Sequence, residues 1–95
     1  MHVNEENTPY VCQLSGRLDA FAVAKLKEQV GVSQSDLILD LCEVNFIDSS
    51  AIAWLIGLYK QSRISGRSFT IRGLQDTVRL ILEITGVYDI LPIQR

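Results

Sequence analysis

The run Leu37-Ile38-Leu39-Asp40-Leu41-Cys42 is apolar at odd and even positions alike until Asp40. A strand with one face in water alternates; a strand apolar on both parities is buried inside a sheet with neighbours on either side. Residues 37–42 are therefore expected to form a central strand, and the rest of the chain must supply what covers it. Upstream, Tyr10-Val11-Cys12-Gln13-Leu14 reads as a strand closed by Ser15-Gly16. A turn at Asn7-Thr8-Pro9 precedes it, so the sheet is expected to open with a hairpin. Asp19 can cap a helix carrying Val23, Leu26 and Val30 at spacings of three and four, which Gly31 can end; Lys25 and Lys27 fall on its solvated face.

The same alternation continues downstream. Phe46-Ile47 leads into Asp48-Ser49-Ser50, after which Ile52, Leu55, Ile56 and Tyr59 recur at helical spacing as far as Ser65-Gly66. Ser68-Phe69-Thr70-Ile71-Arg72 has period two, with Phe69 and Ile71 on one face. Past Gly73 a third helix presents Val78, Ile81, Leu82 and Thr85 before Gly86, and a short apolar tail runs from Tyr88 to Ile93. Strand alternating with helix implies right-handed crossovers and an α/β fold. We expect a mixed, mostly parallel sheet of four to five strands, with the helices packed mainly on one face. The chain has 95 residues and no linker or repeat, so residues 1–95 are read as a single domain.

Composition narrows the function classes. Nine Lys and Arg against eleven Asp and Glu give a net charge of −2, and no run of like charges offers a track for a phosphate backbone, so nucleic acid is not expected as a partner. The most apolar stretch, residues 51–59, is well short of the roughly 20 residues that span a bilayer. The polar, acidic start Met1-His2-Val3-Asn4-Glu5-Glu6 lacks the layout of a secretory signal, and the chain is expected to be cytoplasmic. Cys12 and Cys42 each stand in an apolar run without a neighbouring cysteine or histidine, which reads as two buried reduced thiols. The single histidine, His2, cannot build a metal site alone, so neither a metal nor a cofactor is expected. A serine nucleophile would need a base and an oxyanion hole, and no Gly-x-Ser-x-Gly elbow surrounds Ser49 or Ser50; the chain is not read as an enzyme.

The informative constellation is Asp48-Ser49-Ser50, at a strand-to-helix junction where the first backbone N–H groups lack partners. An N-cap is the simplest role for any of the three. Helical phase adds a second reading. With Ile52, Leu55, Ile56 and Tyr59 facing the sheet, Ser50, Trp54, Gly57 and Gln61 fall on the opposite, solvent side, flanked by Leu58. A lone tryptophan there, beside a serine and a glycine that lets another backbone approach, has the profile of a docking surface; packing of Trp54 on a neighbouring helix is the alternative.

The segment Val44-Asn45-Phe46-Ile47-Asp48-Ser49-Ser50-Ala51-Ile52-Ala53-Trp54-Leu55 resembles the phosphorylation-site motif of STAS domains, specifically the bacterial anti-sigma factor antagonists. Leu14-Ser15-Gly16-Arg17-Leu18-Asp19 is similar to the family's strand-to-helix turn. Leu80-Ile81-Leu82-Glu83-Ile84-Thr85-Gly86-Val87-Tyr88 is similar to its closing helix, and Tyr59-Lys60-Gln61 lies in its middle one. The resemblance implies a regulator in which Ser50, with Ser49 as second choice, is phosphorylated by an anti-sigma factor that is itself a serine kinase. The unphosphorylated form binds that factor and frees the sigma factor, and a metal-dependent serine/threonine phosphatase resets the cycle. Asp19 matches a position close to the phosphosite. The implied partner surface comprises Asp19, Asp48, Ser49, Ala51, Ala53, Trp54, Gly57, Leu58 and Gln61. The chain departs from the family pattern at Ala51 and Ala53, where glycine is usual, and at Trp54, where a smaller aliphatic is usual. The alternative within the same fold is a scaffold or transporter-associated subunit that is never phosphorylated.

Overall fold

The computed structural model describes residues 9–30 and 35–94. The chain runs β1 (Tyr10–Leu18), α1 (Ala20–Leu26), β2 (Leu37–Ile47), α2 (Ser49–Ser65), β3 (Phe69–Arg72) and α3 (Asp76–Ile84). The strands form one sheet in the order β1-β2-β3, with both pairs parallel, so β2 is the central strand that its doubly apolar pattern predicted. Four to five strands were expected and three are found among the described residues. The turn proposed at Asn7-Thr8-Pro9 lies outside them except for Pro9, as does Gly31, the expected end of the first helix. A fourth strand is present in embryo at the other edge. Ile71 N–H donates to the Pro92 carbonyl at 2.9 Å, and Gln94 N–H donates to the Ile71 carbonyl at 2.8 Å, which lays the apolar tail beside β3.

Rows across the sheet follow from the register. Leu37 pairs with Phe69 and Leu39 with Ile71, all four buried on the face that carries the core. The opposite parity gives Val11-Ile38-Thr70 and Gln13-Asp40-Arg72, half-buried or exposed. β1 runs on to Leu18 rather than closing at Ser15-Gly16, because Gly16, at φ 78°, lets the strand pass through an irregularity instead of turning. β2 likewise continues past Cys42 to Ile47.

Two expectations are corrected. The buried residues of α2 are Ala51, Trp54, Leu55, Leu58 and Ser62; Ile52, Ile56 and Tyr59 are only half-buried against the core. α2 packs on α1 as well as on the sheet, so its buried arc is wider than, and rotated from, the stripe that a single neighbour would require. Cys42 is exposed, whereas Cys12 is half-buried with its thiol pushed up by desolvation. Cys42 shares the outward parity of Ile38 and Asp40, and its thiol is raised chiefly by its hydrogen bond to the Asp40 carboxylate.

Asp40 organises that outer face. Its Oδ1 accepts from the Cys42 N–H at 2.9 Å and its Oδ2 from Arg72 Nε at 3.2 Å, and the backbone hydrogen bond is the main reason its carboxyl lies below the ordinary carboxylate range. Gly73, at φ 77°, turns the chain directly above it, and a Cβ there would come within 2.9 Å of Asp40 Oδ1 and 3.2 Å of the Cys42 nitrogen. Gly73→Ala therefore combines a left-handed backbone with displacement of a bonded carboxylate. It should cost about 1–3 kcal/mol in urea denaturation, with the slope unchanged. The depressed Asp40 also sets a sign for acid stability. Its contribution is complete above the unfolded carboxylate value of about 3.9 and is lost as pH falls through the lower folded value. Asp40→Asn, followed by urea titration at each pH, should show a smaller loss of stability than wild type between about pH 5 and 2.

Candidate functional site

The junction between β2 and α2 is built on one carboxylate. Asp48 has extended backbone angles (φ −114°, ψ −175°), and its Oδ1 accepts from the Ala51 N–H at 3.0 Å, the bond of an N-cap. Its second oxygen, Oδ2, accepts from the Ala20 N–H at 3.1 Å, the first residue of α1. The Asp48 N–H in turn donates to the Leu18 carbonyl at 3.2 Å. Asp19 caps α1 through Ala22 N–H at 3.0 Å. The two helices thus start side by side, each capped by its own aspartate and both held by Asp48.

From that shared start α1 and α2 run alongside each other and leave a groove of about 630 Å³ between them. Its floor consists of buried apolar side chains: Val23 from α1, Val30 from the segment that follows it, and Trp54 and Leu58 from α2. Small residues form the walls, Ala20 and Ala24 on one side and Ala53 and Gly57 on the other. Ser50, Lys27 and Gln61 complete the lining. Ser50 to Gln61 spans about three helical turns, roughly 16 Å.

The face Ser50, Trp54, Gly57 and Gln61, with Leu58 at its flank, is therefore assembled on one groove as helical phase grouped it, and Ala53, implied by the resemblance, joins it there. Trp54, however, is not on the solvent face. It is only 6% exposed, because α1 lies against this side of α2; the alternative reading, packing on a neighbouring helix, holds for most of the ring while one part lines the groove. Ala51 is also corrected. Its residue is fully buried, so its methyl belongs to the core and stands on no partner's path. Asp48, Asp19 and the exposed Ser49 cluster at the helix starts beside the groove rather than in its lining. What the sequence reading missed is the α1 half, Ala20, Ala24 and Lys27. The signal was available: their spacing of four and three repeats that of Ser50, Trp54 and Gly57. Among the described residues no group of His, Cys, Asp and Glu is placed to hold a metal ion, and no helix is long and apolar enough to cross a membrane.

The STAS domain family model matches residues 1–95. The chain belongs to the STAS domain family. This STAS domain is 30% identical to the anti-sigma-B factor antagonist of Listeria monocytogenes, over 99% of its own length and 87% of that protein's. It is 26% identical to the anti-sigma-B factor antagonist of Staphylococcus aureus, covering 96% of this chain and 92% of the relative. The crystal structure of a sulfate transporter family protein from Wolinella succinogenes superposes with a TM-score of 0.74 over 96% of this chain and 83% of that one. At 15% identity that likeness concerns the fold alone.

The double role of Asp48 makes it the residue on which this STAS domain's site geometry depends. Asp48→Ala removes the hydrogen bonds to both the part-buried Ala51 N–H and the exposed Ala20 N–H and should cost about 1–3 kcal/mol by urea denaturation. Asp19→Ala, which removes a single cap bond, should cost about 0.5–2 kcal/mol. Equal losses in the two variants would refute the bridging role.

Proposed function

We propose that this STAS domain is an anti-sigma factor antagonist of the cytoplasm, switched by phosphorylation of Ser50. The observation that carries the reading is the place of Ser50. It is the second residue of α2, half-exposed, and it lines the groove, whereas Ser49 faces out beside it. The relatives named anti-sigma-B factor antagonist, aligned over almost the whole chain, support the same role. In this reading the free hydroxyl form binds an anti-sigma factor with serine kinase activity, across the helix starts and the groove. A metal-dependent serine/threonine phosphatase restores that form.

The physics of the position suits a switch that leaves the fold intact. Asp48 already caps α2, so the Ser50 side chain has no structural hydrogen bond to surrender among those the helix start requires. A phosphate would add about −1.5 to −2 charges at a helix N-terminus, where anions are tolerated by the exposed N–H groups and the helix dipole. The change falls on the partner. A doubly charged group placed in an interface that must exclude water, without a matching cation, costs about 2 kcal/mol or more of binding.

The test is the intact mass of the protein from its own cells, with and without phosphatase treatment, followed by mapping of the peptide containing Asp48-Ser49-Ser50. A phosphatase-sensitive form at Ser50 is expected. Ser50→Asp should unfold with the wild-type midpoint within about 0.5 kcal/mol yet bind the kinase captured by Ser50→Ala about 30-fold more weakly or worse. Protein that is never modified under growth or stress, and that co-purifies with a transporter, would establish the scaffold alternative instead.

A further inference from the structure

The groove carries more information than the position of Ser50. Lys27 is the single charged residue in its lining, and it is exposed. Neither ion pair seen among the described residues, Arg72 with Asp40 or Arg79 with Asp76, involves Lys27, which has no carboxylate partner among those residues. The carboxylates nearest the other end, Asp19 and Asp48, are spent on backbone N–H groups of the helix starts. The lining of the trough thus has one positive charge, Lys27, while the carboxylates of Asp19 and Asp48 stay outside the lining at the helix starts.

Gly57 points the same way from a different observation. It lies in the interior of α2, where glycine is about 1 kcal/mol less favourable than alanine. A Cβ built there meets nothing within 4 Å, so no close approach inside the domain requires its absence. The space it leaves opens on the groove, and together with Ala53 it brings the α2 backbone within reach of an outside helix.

From these observations we infer that the groove receives an amphipathic helix of the partner, with small apolar side chains on the buried face and a carboxylate that meets Lys27. This rests on the reading of the groove as the partner surface and specifies its chemistry. It also gives the switch a sign. With Ser50 unmodified the lining carries a formal charge of +1, from Lys27; with a phosphate it becomes about −0.5 to −1. An acidic helix is then attracted in one state and repelled in the other, without movement of the fold.

The experiment uses the whole protein and two synthetic helical peptides of about 15 residues. Both have the same Leu/Ala face; one has Glu on its flanks and the other Lys. Trp54 is the sole tryptophan and lines the groove, so its fluorescence reports occupancy directly. At low ionic strength the Glu peptide should bind about fivefold more tightly than the Lys peptide, a preference that salt reduces. Lys27→Gln and Ser50→Asp each bring the formal charge of the lining to zero, so either should abolish the preference. Gly57→Leu should weaken both peptides while leaving the domain folded. Equal or tighter binding of the Lys peptide, or no change in Trp54 fluorescence with either peptide at millimolar concentration, overturns the inference. If mass mapping finds no phosphate at Ser50 while the Lys27-dependent preference holds, the switch fails and the acidic-helix groove stands.

Discussion

One carboxylate shared between two helix starts holds the candidate site together. Asp48 Oδ1 satisfies α2 and Oδ2 satisfies α1, so a shift of one helix against the other at this end breaks one of the two bonds. A buried or partly buried N–H left unpaired costs about as much as a lost cap, and an anion at a helix N-terminus gains from each dipole it faces. Everything downstream inherits that constraint. The width of the trough, the lateral position of Ser50 and the burial of Trp54 all depend on where α1 begins relative to α2.

That juxtaposition is itself a product of irregularity in the sheet. At its start β1 pairs Tyr10 with Leu37, and at its end Leu18 with Ile47, so the offset between the strands grows by two residues at the shifts near Gln13/Ser15 and Gly16/Arg17. In an unbroken ladder Leu18 would stand beside Asn45, and the helix caps would be out of step. The two extra residues on β2 bring Asp19 and Asp48 level, so that one cap can reach the neighbouring helix. Bulges beside functional sites commonly re-aim the chain in this way. Here they align two helix starts.

The fold was legible because its signals are local. The doubly apolar run at Leu37 to Cys42, the period-two pattern of Phe69 and Ile71, and the Asp19 cap each report on a few adjacent residues, and each is found where the pattern put it; of the three cap candidates Asp48, Ser49 and Ser50, the structure selects Asp48. The site was half legible. Helical phase correctly grouped Ser50, Trp54, Gly57 and Gln61, since residues on one face stay together whatever they face. It could not say what that face meets. Phase puts Trp54 on the side away from the sheet and leaves open whether solvent or a neighbouring helix meets it there; α1 covers it, and that contact joins residues about 30 positions apart in the chain, beyond the reach of periodicity. Cys42 was misread for a related reason. Its neighbours are apolar, but strand parity at an exposed sheet face decides burial more strongly than local hydropathy.

The groove divides its residues into two kinds, and the division governs how any recognition by this domain can vary. Val23, Val30, Trp54 and Leu58 form its floor and belong equally to the hydrophobic core, so truncating one of them creates a cavity and costs about 2–5 kcal/mol whether or not anything binds. Ala53, Gly57, Lys27 and Gln61 touch the same space from the rim or wall but lie outside the core. Their substitution leaves the packing alone and changes the shape and charge offered to an occupant. Ser50 stands with this second group, next to a cap that Asp48 already provides. A modification there can alter the groove's sign at almost no structural cost, which is the property a reversible switch on a domain of this size requires, since a change that also consumed a few kcal/mol of stability would unfold it.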